Sequence, residues 1–274
     1  MPAGLGATAL PPLDAVRLRS LLTGPGDFWR DVEVVERTGS TNQDLLARAH
    51  DGAPEGLVLA AEEQLAGRGR QGRNWQSLPG AALTFSVLLR PGAVPPVVRG
   101  WLPLLAGLAT ATAVGTIAGI DLRLKWPNDV LIDGAKLAGI LAEQSDGAVV
   151  VGTGLNVLGR PGELPVPTAT SLEQHGGSLA GFDRTGLLAE ILAELAGAYQ
   201  SWRETNGDPD ASGLRTAYLE RCDTIGRPVS VSLPGGKLLT GIAAGVDGFG
   251  CLQVASGTAA GLVAVSAGDV IHLR

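Results

Sequence analysis

Residues 101–120, WLPLLAGLATATAVGTIAGI, run for twenty positions without a charge. A stretch of that length becomes either a membrane span or a helix buried on all sides. Most of its residues are Ala, Gly and Thr, with Pro103 near the start. Such side chains gain little from lipid, whereas they let neighbouring elements approach closely. The stretch therefore predicts a buried helix in a globular chain, with no membrane contact. A length of 274 residues is enough to cover such a helix. Hydrophobic residues at 45% against 18% charged exclude a disordered chain. The start, MPAGLGATALPPLDAVR, has no basic segment followed by a long apolar core, so no signal peptide is expected. Cys222 and Cys251 form no CxxC motif, which fits a reducing, cytoplasmic setting and inert core thiols.

On either side of the apolar helix, strands and helices are mixed. VEVVER (32–37), LVLAAEEQ (57–64), ALTFSVLLR (82–90), DLRLKW (121–126) and AVVVGTGLNV (148–157) read as strands. VLIDGAKLAGILAEQ (130–144) reads as a hairpin around Gly134–Ala135. Helices are expected in LDAVRLRSLL, STNQDLLARAH (40–50), TGLLAEILAELAGAYQSWRE (185–204) and LRTAYLERC (214–222). Ser40 stands three residues before Gln43, the spacing of a capping box. Residues 159–181, rich in Pro and Gly, read as a long surface loop. From about residue 225 the chain turns into short β runs broken by Gly–Gly, Asp–Gly and Ser–Gly. That texture marks a small β-barrel of roughly fifty residues. The fold class is α/β (α+β): a mixed domain followed by a small β module.

Three stretches carry candidate chemistry. GRGRQGRNW (67–75) packs three arginines and three glycines into nine positions of a chain whose net charge is −6. Gly67, Gly69 and Gly72 spell GxGxxG, but no apolar helix opens behind them and no acidic residue follows about twenty positions on, so a dinucleotide fold is excluded. The acidic balance argues against nucleic-acid binding. What remains is a solvated turn or a loop that an anion orders. KWPND (125–129) is either turn chemistry or an anion contact. Lysine usage favours the second: Lys125 and Lys136 are two of only three lysines, and they fall in one strand–turn–hairpin unit. GTGLN (152–156) puts glycines into an apolar strand, either for close packing or for backbone approach to a ligand beside Asn156. His50, His175 and His272 have no metal-ligand spacing, and no GxSxG occurs.

Taken in order, Ser40–Thr41–Asn42, Glu62-x-Gln64 leading into GRGRQGRNW, then KWPND, KLAGIL and GTGLN resemble the biotin protein ligases, the biotin–acetyl-CoA-carboxylase ligase family. The resemblance runs from about residue 32 to the C-terminus. Thr153 stands where Ile or Val is usual, and Leu65 where a second Gln is common. It implies a monofunctional enzyme: a short segment 1–30 with no room for a DNA-binding winged helix, a mixed-sheet catalytic domain of the biotin/lipoate ligase type over 31–222, and an SH3-like barrel over 223–274. The implied reaction activates biotin with ATP and Mg²⁺ to biotinyl-5′-AMP. Biotin then passes to one lysine of a biotin carboxyl carrier domain of a carboxylase. By the same resemblance Arg70, Lys125, Asp129 and Lys136 are catalytic, with Asp129 a Mg²⁺ contact. Ser40, Thr41, Gln64, Arg68, Lys136, Gly139, Gly152 and Gly154 bind biotin. Arg68, Arg70, Arg73, Trp75, Lys125, Asn128 and Asn156 bind the nucleotide. No nucleic-acid or membrane partner is expected, and the family includes monomers and homodimers. The alternatives are a lipoate or octanoate ligase of the same fold and a non-catalytic biotin- or nucleotide-binding regulator.

Overall fold

The computed structural model describes residues 10–77, 79–164, 166–176, 183–233, 237–257, 261–266 and 268–273. Chain contacts divide it into two units, one built from the chain up to Arg90 with Ala135–Leu192, the other from Pro91–Gly134 with Ala193–Arg274.

In the first unit, α1 (Ala15–Leu22) is followed by β1 (Asp31–Thr38), α2 (Thr41–His50), β2 (Leu57–Gln64) and β3 (Ala82–Leu89). The second unit then supplies α3 (Trp101–Ala118), β4 (Arg123–Lys125) and β5 (Asp129–Ile132). The chain returns to the first unit with β6 (Ala135–Ser145), β7 (Ala148–Asn156) and the short α4 (Glu173–Gly176). Helix α5 (Arg184–Glu204) leads into α6 (Leu214–Arg221) and the strands β8 (Pro228–Ser232), β9 (Leu238–Val246), β10 (Leu252–Ala255), β11 (Leu262–Val265) and β12 (Asp269–His272).

The first unit orders its strands β1-β2-β3-β7-β6. β1 and β2 are parallel; the β2/β3, β3/β7 and β6/β7 pairs are antiparallel, so the sheet is mixed, as expected. Helix α2 lies on one face, where Leu45 and Ala49 meet Leu59, Leu88 and Val150. Burial of such side chains, worth ~1.5–3 kcal/mol each, holds α2 in place. The described part of the N-terminal segment is packed rather than loose. Leu13, Leu18, Leu22 and Trp29 are buried, and the Trp29 indole donates to the Leu192 carbonyl at 2.9 Å. Buried Arg184 donates to the Pro11 carbonyl at 2.7 Å and to Glu62 at 2.8 Å.

In the second unit, the apolar stretch forms α3, with 61% of its span buried in protein. By length and composition alone it could cross a membrane; burial is what the fold gives it. The C-terminal region is a five-stranded antiparallel sheet, ordered β11-β10-β9-β8-β12, in the place of the expected SH3-like module.

Two expectations are corrected. Ser40 is the N-cap of α2, but its side chain makes no capping bond. Gln64, reaching over from β2, accepts from the Thr41 N–H instead at 2.8 Å. Nor do residues 159–181 lie wholly on the surface: Thr170, Ser171 and Leu172 are buried. Backbone bonds between Lys136 and the 168–170 segment (Lys136 N to Thr168 O, Thr170 N to Lys136 O, 2.8 Å each) pull that part inward. The glycine-rich ends 177–182 of this loop lie outside the described residues.

Candidate active site

Side chains that face each other across a sheet share a face. One row of the first unit's sheet is Gly139–Gly154–Thr84–Ala61, and the next is Leu141–Gly152–Ser86–Leu59. Both lie on the face that carries α2. Three glycines in two adjacent rows leave a floor without side chains, at the N-terminal end of α2.

Bare floor is required, because other groups occupy the space above it. A Cβ on Gly152 would stand 2.1 Å from Asn42 Oδ1, and one on Gly154 would stand 2.2 Å from Trp75 Cε2. A Cβ on Gly139 would meet Lys136 Nζ at 3.1 Å and Trp75 Cζ3 at 3.3 Å. The structure shows the close-packing reading of GTGLN: the glycines pack against the Trp75 ring and the Asn42 side chain.

A chain of hydrogen bonds borders the floor. Gln64 Oε1 accepts from the Thr41 N–H at 2.8 Å and from its hydroxyl at 3.0 Å. The Thr41 and Ser86 hydroxyls are 2.7 Å apart. Ser86 donates to Asn42 Oδ1 at 2.6 Å, and Asn42 Nδ2 donates to Glu143 at 2.9 Å and to the Leu141 carbonyl at 3.2 Å. Glu143 then meets Arg68 Nη1 at 3.1 Å.

The Arg/Gly loop closes on itself as a small hairpin. Arg68 bridges Asn74, the Trp75 N–H donates to the Gly67 carbonyl at 2.8 Å, and a 3₁₀ turn spans Arg70–Gly72. Arg70 sits in that turn and Arg73 is exposed beyond it. Trp75 folds back over the floor, and its buried indole N–H has no hydrogen-bond partner among the described residues. Buried Asn156, at the end of β7, donates to the Thr170 carbonyl at 3.0 Å.

Lys125, Asn128 and Asp129 belong to the second unit, around the turn between β4 and β5. The C-terminal region clamps this turn. The Trp126 N–H donates to Thr224 Oγ1 at 3.0 Å, and its buried indole donates to the Gly250 carbonyl at 3.0 Å. His272 from β12 stands 3.1 Å from the same Thr224 hydroxyl. Burial first, and then the charges of Lys125 and Arg227, hold the His272 pKa below the ordinary histidine value. Tyr218 on α6 is fully buried, which raises its pKa, with the charges of Cys222 and Asp129 adding to the effect. Burial pushes both cysteine thiols up as well, in keeping with inert thiols.

Among the predicted residues, Ser40, Thr41, Gln64, Arg68, Trp75, Lys136, Gly139, Gly152 and Gly154 therefore line one region of the first unit, with Arg70 and Asn156 on adjoining segments. Sequence reasoning missed Ser86, Glu143 and the anchors Thr224 and His272. Asn42 entered only as the third residue of the Ser40–Thr41–Asn42 triplet. Strand alternation could have flagged Ser86, a polar residue in the apolar run LTFSVLL.

This layout can be set beside known proteins. Over 270 residues the chain is 47% identical to the biotin--[acetyl-CoA-carboxylase] ligase of Mycobacterium tuberculosis, covering 96% of this chain and 97% of that protein. The chain belongs to the biotin protein ligase family. Residues 34–158 match the Biotin/lipoate A/B protein ligase family, and residues 224–273 match the Biotin protein ligase C terminal domain. The bifunctional ligase/repressor BirA of Escherichia coli is 35% identical over 81% of this chain and 68% of that protein. Among solved structures, a biotin protein ligase from Aquifex aeolicus in complex with biotin and ATP superposes with a TM-score of 0.73 at 27% identity, over 90% of this chain and all of that one. The family resemblance drawn from the motif order is thereby confirmed, and the chain is a ligase of this family.

Proposed function

We propose that this ligase binds biotin over the glycine floor, activates it with ATP to biotinyl-5′-AMP, and transfers it to a lysine of a biotin carboxyl carrier domain. The observation that carries this reading is the meeting, in one region of the first unit, of a bare glycine floor, a hydrogen-bonded rim of Thr41, Gln64, Ser86 and Asn42, and the two cations Lys136 and Arg68. Biotin has a flat neutral ureido ring with donors and acceptors, and a carboxylate at the end of an apolar chain. Ser40, Thr41 and Gln64 suit the ring, because a buried polar edge needs both kinds of partner. Lys136 and Arg68 suit the carboxylate. A lipoyl or octanoyl tail has no use for such a rim.

No general base is needed for the first step, since a carboxyl group is ionised at neutral pH (pKa near ~4). The barrier lies in bringing one anion against another, so catalysis is positioning and charge stabilisation. Lys136 and Arg70 hold the carboxylate and α-phosphate, Lys125 and Asn128 serve the phosphates, and Arg68, Arg73, Trp75 and Asn156 complete the nucleotide site. The carboxylate oxygen forms a bond to the α-phosphorus as the bond to pyrophosphate breaks. Mg²⁺ would arrive with ATP, since this ion keeps waters and takes few protein oxygens; Asp129 would be one of them. Bound there, Mg²⁺ would offset phosphate charge. In the second step the amine of the carrier lysine forms an amide bond to the biotinyl carbonyl as the bond to AMP breaks. The glycine-rich loop closes over the anhydride and keeps water out.

We assign residues 31–222 to the catalytic domain and 223–274 to the C-terminal domain; the separate family matches on either side of this boundary support the division. The enzyme acts in the cytoplasm, as a monomer or homodimer and without nucleic acid. ATP–pyrophosphate exchange tests the substrate: biotin supports exchange and lipoate does not. Exchange with lipoate alone would make this an acyl ligase of the other type, and binding without exchange would make it a regulator.

A further inference from the structure

Glu62 opens the Glu62-x-Gln64 motif, yet the functional reading above gives it no part. By strand alternation it points away from the floor, since its neighbour Ala61 stands in a floor row. On that far side its carboxylate is enclosed. Oε1 accepts from the Leu13 N–H at 2.6 Å, and Oε2 accepts from Arg184 Nη2 at 2.8 Å. Arg184 opens α5, and only 2% of its side chain is accessible. Its guanidinium also donates to the Ala82 carbonyl at 3.2 Å and to the Pro11 carbonyl at 2.7 Å. A buried charge pair needs such added partners, because water no longer supplies them. The N-terminal segment provides two of them, at Pro11 and Leu13. It is held in place by the Asp14 N–H, which donates to the Thr185 hydroxyl at 3.1 Å, and by Arg17, 2.7 Å from Asp183.

We propose that Glu62 and Arg184, closed over by residues 11–13, are positioning residues for the rim that receives biotin. The proposal rests on the biotin-binding reading above. Glu62 stands two residues before Gln64 at the end of β2, and Gln64 Oε1 takes both the N–H and the hydroxyl of Thr41. Ala82 begins β3 and pairs with Asn156 at the end of β7. One guanidinium therefore ties the ends of two strands, with Gln64 beyond the first and Asn156 beside the second. A guanidinium can do this because its fork of donors reaches several acceptors in fixed directions. The N-terminal segment completes the tie, which makes residues 11–13 part of the ligase machinery although they touch no assigned site residue.

The test pairs two changes. Glu62→Gln leaves Arg184 buried against a neutral amide, and deletion of residues 1–13 removes the Pro11 carbonyl and the Leu13 N–H. Both are assayed well below their Tm. In each, the KM for biotin should rise about five- to tenfold with kcat within about twofold, the pattern of lost ground-state binding. Combined, they should cost less than the product of the single effects, because they break one network. Glu62→Leu with Arg184→Met should regain part of the Tm lost in Glu62→Gln, since an apolar pair replaces a buried charge pair, while its KM stays high. Amide hydrogen exchange gives a readout apart from activity. The Thr41 N–H, held by Gln64, should exchange several-fold faster in both single variants, while the amides of residues 45–49 keep parent rates. The proposal is overturned if the deletion leaves KM and Thr41 exchange at parent values, if KM returns to parent together with Tm in the Leu/Met pair, or if the single penalties multiply in full. Should Glu62→Gln fail to fold, the deletion and the Leu/Met pair decide. A parent chain that fails to bind biotin would sink the functional reading and still leave the exchange rates measurable.

Discussion

Trp75 and Gly154 are in contact through the whole edge of the indole: a Cβ on Gly154 would come within 2.2 Å of Cε2, 2.5 Å of Cζ2 and 2.6 Å of Nε1. The ring therefore stays over the floor only while residue 154 has no side chain. Gly154→Ala should push the indole off β7 at a cost of about 1–3 kcal/mol, the usual penalty of overpacking. Urea unfolding reads the stability loss, and the KM for ATP should rise with it. A variant with parent-like KM would show that the Trp75–Gly154 contact does not shape the nucleotide site.

Lys136 is the second residue of β6, and its ammonium reaches the surface of Gly139. Removing it takes a positive charge from the place assigned to the reacting carboxylate and phosphate. Lys136→Ala should keep the fold, checked by circular dichroism and Tm. It should slow adenylate formation by about 10²-fold or more, as loss of one charge-stabilising donor does elsewhere. Single-turnover formation of the adenylate is the measurement.

Much of this was legible in the chain because periodicity and punctuation agree. The apolar runs of β2 and β3, the charge-free α3 and the β texture after residue 225 each have a local cause, whereas the hairpin expected around Gly134–Ala135 turns one residue earlier, since β5 ends at Ile132 and β6 opens at Ala135. The Arg/Gly loop, KWPND and GTGLN stood out because glycines and lysines are placed against the habits of their surroundings. What stayed hidden depends on the partners that tertiary structure supplies. Ser40 has the right spacing for a capping box, yet Gln64 from another strand takes the donor at the helix start. Glu143 looks like any solvent-facing residue of an alternating strand until Asn42 and Arg68 arrive. Thr224 and His272 sit about a hundred or more residues from the Trp126 turn that Thr224 anchors. No pattern in one chain announces such a contact.

Thr224 accepts from the buried Trp126 N–H. Thr224→Val keeps the shape and leaves that donor unsatisfied, at a cost of about 1–3 kcal/mol. Urea unfolding should register the loss. Because Lys125 and Asn128 flank Trp126, the KM for ATP should rise more than the KM for biotin.

His272 gives a signed pH dependence. Its folded pKa lies below the ordinary 6.5, chiefly through burial and then through Lys125 and Arg227. The unfolded chain therefore takes up the proton first as pH falls. The contribution to stability is complete above 6.5 and is lost as pH drops through the folded value. Exposed His50 works the other way: its hydrogen bond to Asp146 raises its pKa, so its contribution is present at low pH and lost as pH rises. Comparing parent with His272→Gln isolates the first term. Between about pH 7 and pH 5 the variant should lose less stability than the parent in urea titrations. Equal slopes would contradict the assignment.

The most direct test of the central claim is mass spectrometry of the small-molecule products after incubation with biotin, ATP and Mg²⁺. The account predicts biotinyl-5′-AMP and pyrophosphate when all are present, no adenylate when biotin or ATP is left out, and consumption of the adenylate once a biotin carboxyl carrier domain is added. Biotin and ATP recovered unchanged from a folded, active-concentration sample would contradict it.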